Sequence, residues 1–312
     1  MKYIMTVNGK VNVQDMKYTD SHSHLITFPP EELLKDSKDL LLDDPSKIKE
    51  DIEMFKSLGG NTIVEMTTID YGRNLELLKE VSDIYKINVI ACSGFNKGLY
   101  NCKYLEGRDV DEVVKDLMKD IENEGIKPGV IKIGTSKNII EPYEEIGLRA
   151  ISRAHLKTGI PISTHTQNGT MALEQIKIFE EEKVPYENII ICHLDQNKDI
   201  NIHRYLLQKG VFLSYDSISK AKYDTRERSI EFIVQFVKEG LHKNILLGND
   251  FARRSNFSSY KGKPGYENVF KHFKEELREK LLKENLDAET VINDLYCENP
   301  KRAFCFRGIA NE

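Results

Sequence analysis

The side chains able to do chemistry in this sequence are His22, His24, Lys132, His165, His193 and Asp250, and their local settings say more than their number. His22 and His24 stand two apart in YTDSHSHL, a run from Tyr18 that reads as a strand, so both imidazoles project to the same side. His165 closes IPISTH, His193 closes NIIICH and Asp250 closes NILLGND, each a short apolar run with a polar side chain at its end. Lys132 lies inside GVIKIG, on the alternating face of Val130 and Gly134, where an ammonium is expensive to bury unless it is paired or neutralised. A neutral amine there can combine with carbon dioxide, and the resulting carbamate offers two oxygens to two cations. Imidazole nitrogens with hard oxygens suit zinc first, with manganese, cobalt or iron as other choices, and argue against a thiolate site. Two such metals would share a water that loses its proton near neutral pH, with Asp250 as metal ligand and catalytic proton acceptor.

These residues need a frame that brings strand ends together. Eight short apolar or β-branched runs recur: YTDSHSHL, NTIVEM, INVIACSG, GVIKIG, IPISTH, NIIICH, GVFLSY and NILLGND. Between them lie segments with helical spacing of apolar positions, such as LELLKEVSDIY and VDEVVKDLMKDI. Strand followed by helix, repeated, means parallel strands with crossover helices. Eight units predict an α/β fold of (β/α)8 TIM-barrel type, whose strand ends converge on one mouth. The whole chain, residues 1–312, is expected to form one barrel domain. A hairpin around Asn8-Gly9 is expected to plug its floor, and two helical segments follow the eighth strand.

The other histidines, His155, His203, His242 and His272, fall in helical or helix-end segments and are expected at the surface. Cys92 and Cys192 lie in strands and are expected to pack in the core. Cys192 precedes His193, so alternation turns it toward the helices.

Composition bounds the function. Charged residues make up 30% and hydrophobic residues 40% of 312, an ordinary globular balance. The net charge of -5 supplies no basic field for a nucleic-acid backbone. Five cysteines without regular spacing fit a reducing cytoplasm, and no stretch approaches the roughly 18 apolar residues of a membrane span. A cytoplasmic enzyme acting on a small molecule is the expectation.

Taken together, DSHSHL, GVIKIG, STHTQNGT, ICHLDQN, LGNDFARRS and the closing ENPKRAF resemble the phosphotriesterase-like branch of the amidohydrolase superfamily, over almost the whole chain. The resemblance implies a barrel with a binuclear centre: His22 and His24 on the more buried metal with Asp250, His165 and His193 on the more exposed one, and carboxylated Lys132 between them. Within that branch, DLLLDD, TIVEMTTIDYGR, GFNKG and SKAKYD are similar to bacterial lactonases that open phosphorylated sugar-acid lactones. Lys220 and Lys222 follow the seventh strand and Arg253 the eighth, so all three are candidates for holding a substrate phosphate. A homodimer is implied by the relatives alone. Two departures stand out. Ser23 replaces a common glutamate between the two histidines, and Asn256 takes the place where related lactonases often carry tyrosine.

The leading expectation is a lactonase. Its alternatives are a phosphotriesterase or carboxylesterase acting on a neutral ester, and a catalytically silent barrel that binds a metabolite.

Overall fold

The computed structural model describes residues 2–263 and 265–306. A two-stranded antiparallel hairpin comes first, β1 (Tyr3–Thr6) and β2 (Gly9–Asn12). Eight parallel strands follow: β3 (Tyr18–Ser23), β4 (Gly60–Glu65), β5 (Asn88–Gly94), β6 (Val130–Thr135), β7 (Ile162–Thr166), β8 (Ile189–Cys192), β9 (Phe212–Tyr215) and β10 (Ile245–Leu247). They pair in sequence order from β3 to β10. A helix lies between each consecutive pair, from Lys49–Ser57 through Arg226–Lys238, and Lys274–Lys283 follows β10. Several helices start on side-chain caps. Asp109 with Glu112, and Glu141 with Glu144, form capping boxes; Asn74 and Asp199 accept from first-turn amides. This is the (β/α)8 barrel expected from the alternation.

The ladder ends at β3 and β10, and hydrogen bonds just beyond β10 join the two. Asp250 N donates to His22 O at 2.7 Å, His24 N to Phe251 O at 2.6 Å, and Asn249 N to the buried Asp20 Oδ1 at 3.1 Å. Closure of the barrel is therefore made by the backbone of the candidate metal ligands themselves. Ser23 Oγ donates to Asp20 Oδ2 at 2.6 Å and accepts from Phe251 N at 3.4 Å, so its side chain belongs to this closing seam and not to the cluster of candidate ligands.

Two apolar layers result. Ile63, Ile131, Ile133, Ile191 and Leu213 pack outward against the helices, while Val64, Ile90, Val130, Ile190, Phe212 and Leu246 point into the barrel. Parallel strands buried on both faces explain why their sequences read as apolar runs. Ile4, Met16 and Phe304 join the inner cluster, and the rings of Tyr3 and Phe306 stack at 5.1 Å. The hairpin thus seals the floor, as expected, although its loop is Val7-Asn8; Gly9, at φ +97°, opens β2 instead of sitting in the turn.

Two further expectations are corrected. Cys192 faces the barrel interior, with its Sγ 3.1 Å from Ser163 Oγ. Alternation failed because β8 ends at Cys192 and His193 takes a left-handed conformation, φ +60°, that turns its ring back over the mouth. His155, His203 and His242 are buried, and only His272 of that group is exposed. Each buried ring has a partner: His155 Nδ1 meets Ile160 O, His242 Nε2 meets Asp294 while its Nδ1 has no hydrogen-bond partner among the described residues, and His203 meets Tyr215 OH at 2.7 Å and Asn197 O at 3.2 Å.

Burial lowers the His203 pKa to about 4. The unfolded chain then binds a proton that the folded chain refuses, so this residue's contribution falls as pH drops from about 6.5 toward 4. Between pH 7 and pH 5 the wild type should lose about 2 kcal/mol relative to His203→Gln. Urea unfolding of both proteins at the two pH values checks this, and parallel losses would contradict it.

Candidate metal centre

Six side chains from the ends of five strands meet at the mouth. His22, His24, Lys132 and His193 are buried, and His165 and Asp250 are partly open to solvent. Nε2 of His22 and of His24 lie 3.6 and 3.7 Å from Asp250 Oδ1. Lys132 Nζ is 3.4 Å from His22 Nε2 and 3.2 Å from Met66 O. The His193 ring stands 4.8 Å from that of His22 and 4.4 Å from that of His165. All six sequence candidates are brought together. Alternation along β6 sends Val130 and Lys132 inward and Ile131 and Ile133 outward, which settles the face of the lysine.

The hydrogen bonds behind the rings decide which nitrogens are free. Thr67 Oγ1 donates to Glu65 Oε1 at 2.5 Å, so its lone pair accepts from His24 Nδ1 at 2.8 Å. His24 therefore carries its proton on Nδ1 and presents a bare Nε2. Asp216 stands between two imidazoles, 2.6 Å from His193 Nδ1 and 3.1 Å from His22 Nδ1. An acceptor-only carboxylate there takes the hydrogen bond of His193 Nδ1 and holds that proton on the outer nitrogen, while His22 Nδ1 lies within ion-pair distance of it without hydrogen-bond geometry. His165 turns the other way, with Nε2 3.0 Å from Gln167 Oε1, which leaves Nδ1 as its free nitrogen.

Electrostatics agree with this assignment for three of the four rings; the His193 pKa is raised, because Asp216 and Asp250 outweigh its burial. Burial lowers the His22 pKa to about 4, with Lys132 adding to the effect, and holds His24 and His165 well below the imidazole range. These rings are neutral donors at physiological pH. Burial also disfavours a charge on Asp216, but the His193 and His22 rings outweigh it and keep the carboxylate ionised. The same contest, won by Lys220, keeps Asp250 ionised. Burial raises Glu65 to about 7 against its hydrogen bonds from Thr67 and from Leu25 N.

Neutral imidazoles with lone pairs aimed at a carboxylate are what a divalent first-row cation requires. His22, His24 and Asp250 each place a donor atom within 4.8 Å of the others. Cys192 also comes near His22 and Asp216, but burial pushes its thiol up and Asp216 is committed to the two histidines. The residues present therefore fit a metal on the His22, His24 and Asp250 side.

The basic residues fall in three different settings. Lys220 Nζ contacts Asp250 Oδ2 directly. Arg253 is half exposed, 3.7 Å from Asp39, and its charge acts on Tyr71 and Tyr100. Lys222 is exposed, with its Nζ 4.5 Å over the Tyr223 ring, outside the ligand cluster. Asn256 Oδ1 accepts from Ala252 N at 3.1 Å and so braces the Arg253 loop.

Sequence reading passed over Asp216, Glu65, Thr67, Tyr71 and Tyr100. Glu65 ends β4 and Asp216 follows β9, so the strand-end rule that selected the histidines would have found both. The two tyrosines carry no such mark. They form a wall running outward from the centre, with ring centroids 6.0 Å apart for His24 and Tyr71 and 5.4 Å for Tyr71 and Tyr100.

With this geometry in view, the sequence matches the Phosphotriesterase family over residues 2–304. The chain belongs to the phosphotriesterase family. Among curated relatives it is 32% identical to a phospho-furanose lactonase of Mycoplasmopsis synoviae, over 98% of this chain and 92% of that protein. It is 30% identical to the phosphotriesterase homology protein of Escherichia coli, over 92% and 97% of the two chains. Among solved structures, a lactonase from Listeria monocytogenes superposes with a TM-score of 0.92 at 32% identity, covering 98% of this chain and 99% of that one. These family members bear the names of hydrolases. Among the described residues, no helix is long and apolar enough to cross a membrane.

If Asp216 fixes the His193 tautomer, Asp216→Asn, whose amide can present a donor to that ring, should weaken metal affinity by about 10- to 100-fold. Competition with a chelator of known affinity measures it. A variant within about twofold of wild type would remove Asp216 from this role.

Proposed function

We propose that this protein is a binuclear-metal lactonase that opens phosphorylated sugar-acid lactones. The observation that carries the reading is the meeting of His22, His24, Lys132 and Asp250 in one buried cluster, with the His24 proton held on its outer nitrogen. His22, His24 and Asp250 would hold one divalent cation and His165 and His193 the other, with Lys132 joining them as a carbamate; zinc suits the donor set first. When bound, the pair would supply Lewis acidity for the carbonyl and a lowered pKa for water.

The residues of the chain supply the rest. Asp250 Oδ2 faces Lys220 at the mouth, so the carboxylate stays ionised and able to accept a proton from the attacking water. As the water oxygen bonds to the carbonyl carbon, the acyl–oxygen bond of the ring breaks, and the proton held by Asp250 passes to the departing ring oxygen. The product is a hydroxy acid that ionises and releases a proton to solution. Tyr71 and Tyr100 exclude water from one side, and Arg253 with Lys220 favours an anionic substrate, whereas Lys222 stands outside the cluster. The relatives named phospho-furanose lactonase support this substrate class, as does the Escherichia coli homologue, whose structure is complexed with phosphate in its active site and aligns at a TM-score of 0.85 with 28% identity. A neutral ester or phosphotriester would draw little from these cations.

Proton release over a panel of pentonolactones and hexonolactones, each with and without a terminal phosphate, tests the proposal. Phosphorylated lactones should be preferred at least about tenfold in kcat/KM. Turnover confined to neutral esters would replace the substrate, and no turnover after reconstitution with metal and bicarbonate would favour a silent barrel. Asp250→Asn should lower kcat by about 100-fold or more on whichever substrate is found.

A further inference from the structure

The loop after β5 carries a cation that the sequence left without a role. Lys97 opens the turn Gly98–Tyr100, and Tyr100 N donates to its carbonyl at 3.2 Å. Gly134, two residues beyond Lys132 on β6, separates Lys97 from His165. A Cβ placed on Gly134 would lie 2.8 Å from Lys97 Cβ and 3.1 Å from His165 Cβ. The lysine and the candidate ligand therefore leave the backbone on either side of a position kept open by glycine.

Lys97 is partly buried, and among the described residues its ammonium has no hydrogen bond or ion pair. Glu144 is the carboxylate whose charge reaches it, but both oxygens of that group are occupied. Oε1 accepts from Gly98 N and Ser136 Oγ, each at 2.7 Å, and Oε2 accepts from Ser136 N and Glu141 N, each at 3.0 Å. Desolvation holds the ammonium below its usual range. A cation half withdrawn from water with no counter-ion is a cost that an anionic ligand can offset. Lys97 shares its turn with Tyr100, and Arg253 acts on Tyr100 from the loop after β10, so both cations belong to one rim. Lys220, by contrast, is engaged with Asp250.

We infer that Lys97 is a specificity-determining residue that pairs with the substrate phosphate from the His165 side of the mouth. The inference rests on the lactonase reading above and adds to it a contact from the opposite side of the barrel to Lys220.

The test compares wild type, Lys97→Met and Lys97→Arg, all metal-loaded, on a phosphorylated lactone and on the same lactone without phosphate. Calorimetric binding of ribose 5-phosphate and of ribose is measured in parallel. Lys97→Met should lose about ten- to a hundredfold more kcat/KM on the phosphorylated lactone than on its counterpart, mainly through KM, and Lys97→Arg should recover part of the loss. Equal losses on both lactones, or none, would overturn the role of Lys97 while leaving the lactonase reading intact. If the wild type opens no phosphorylated lactone, the lactonase reading fails and binding decides for Lys97. A preference for ribose 5-phosphate over ribose that disappears in Lys97→Met upholds the contact; no preference, or one that the variant keeps, overturns it.

Discussion

The structure is organised around the desolvation of charge at the mouth of the barrel. Lys132 is 2% exposed, and among the described residues its Nζ meets a backbone carbonyl and an imidazole nitrogen but no carboxylate. Burying an ammonium without a carboxylate partner is costly, so a group so placed calls for counter-charge. The same pressure makes His22, His24 and His165 neutral, while imidazole and cationic partners hold Asp216 and Asp250 ionised against it. A site that suppresses protonation of its own nitrogens has prepared them to bind a metal.

Geometry and stability are linked at the same place. The bonds joining β3 to the segment after β10 run through the backbone of His22, His24 and Asp250, so closing the barrel brings three donor groups together. The ring orientations are then set by residues that touch no substrate, Thr67 with Glu65 behind His24 and Asp216 between His22 and His193. Such outer partners usually matter to metal affinity nearly as much as the ligands do.

The barrel and the convergence of the six candidate side chains on its mouth were legible because both follow the strand pattern. Apolar runs of strand length mark parallel strands buried on both faces, and polar residues at their ends mark the mouth. Period-two alternation also placed Lys132 correctly, since β6 continues past it to Thr135. It failed at Cys192, because alternation holds only while the strand does and His193 has already left it with a positive φ. The buried His155, His203 and His242 were misread for a related reason. Helical position alone does not tell which face a ring takes, and their hydrogen-bond partners, Ile160 O, Tyr215 OH and Asp294, become neighbours only through tertiary packing or a loop turn. Lys97 lies in GFNKG, a segment similar to lactonases, but the pattern gave it no role of its own; what singles it out is the saturation of Glu144 and the gap over Gly134.

The central claim is that Lys132 completes a site for two metals. Bound metal per chain, measured by elemental analysis after reconstitution with zinc and bicarbonate, tests it in wild type and in Lys132→Met. The account predicts about two ions per chain in the wild type and no more than about one in the variant. A variant that still holds two, or a wild type that holds none, would contradict it.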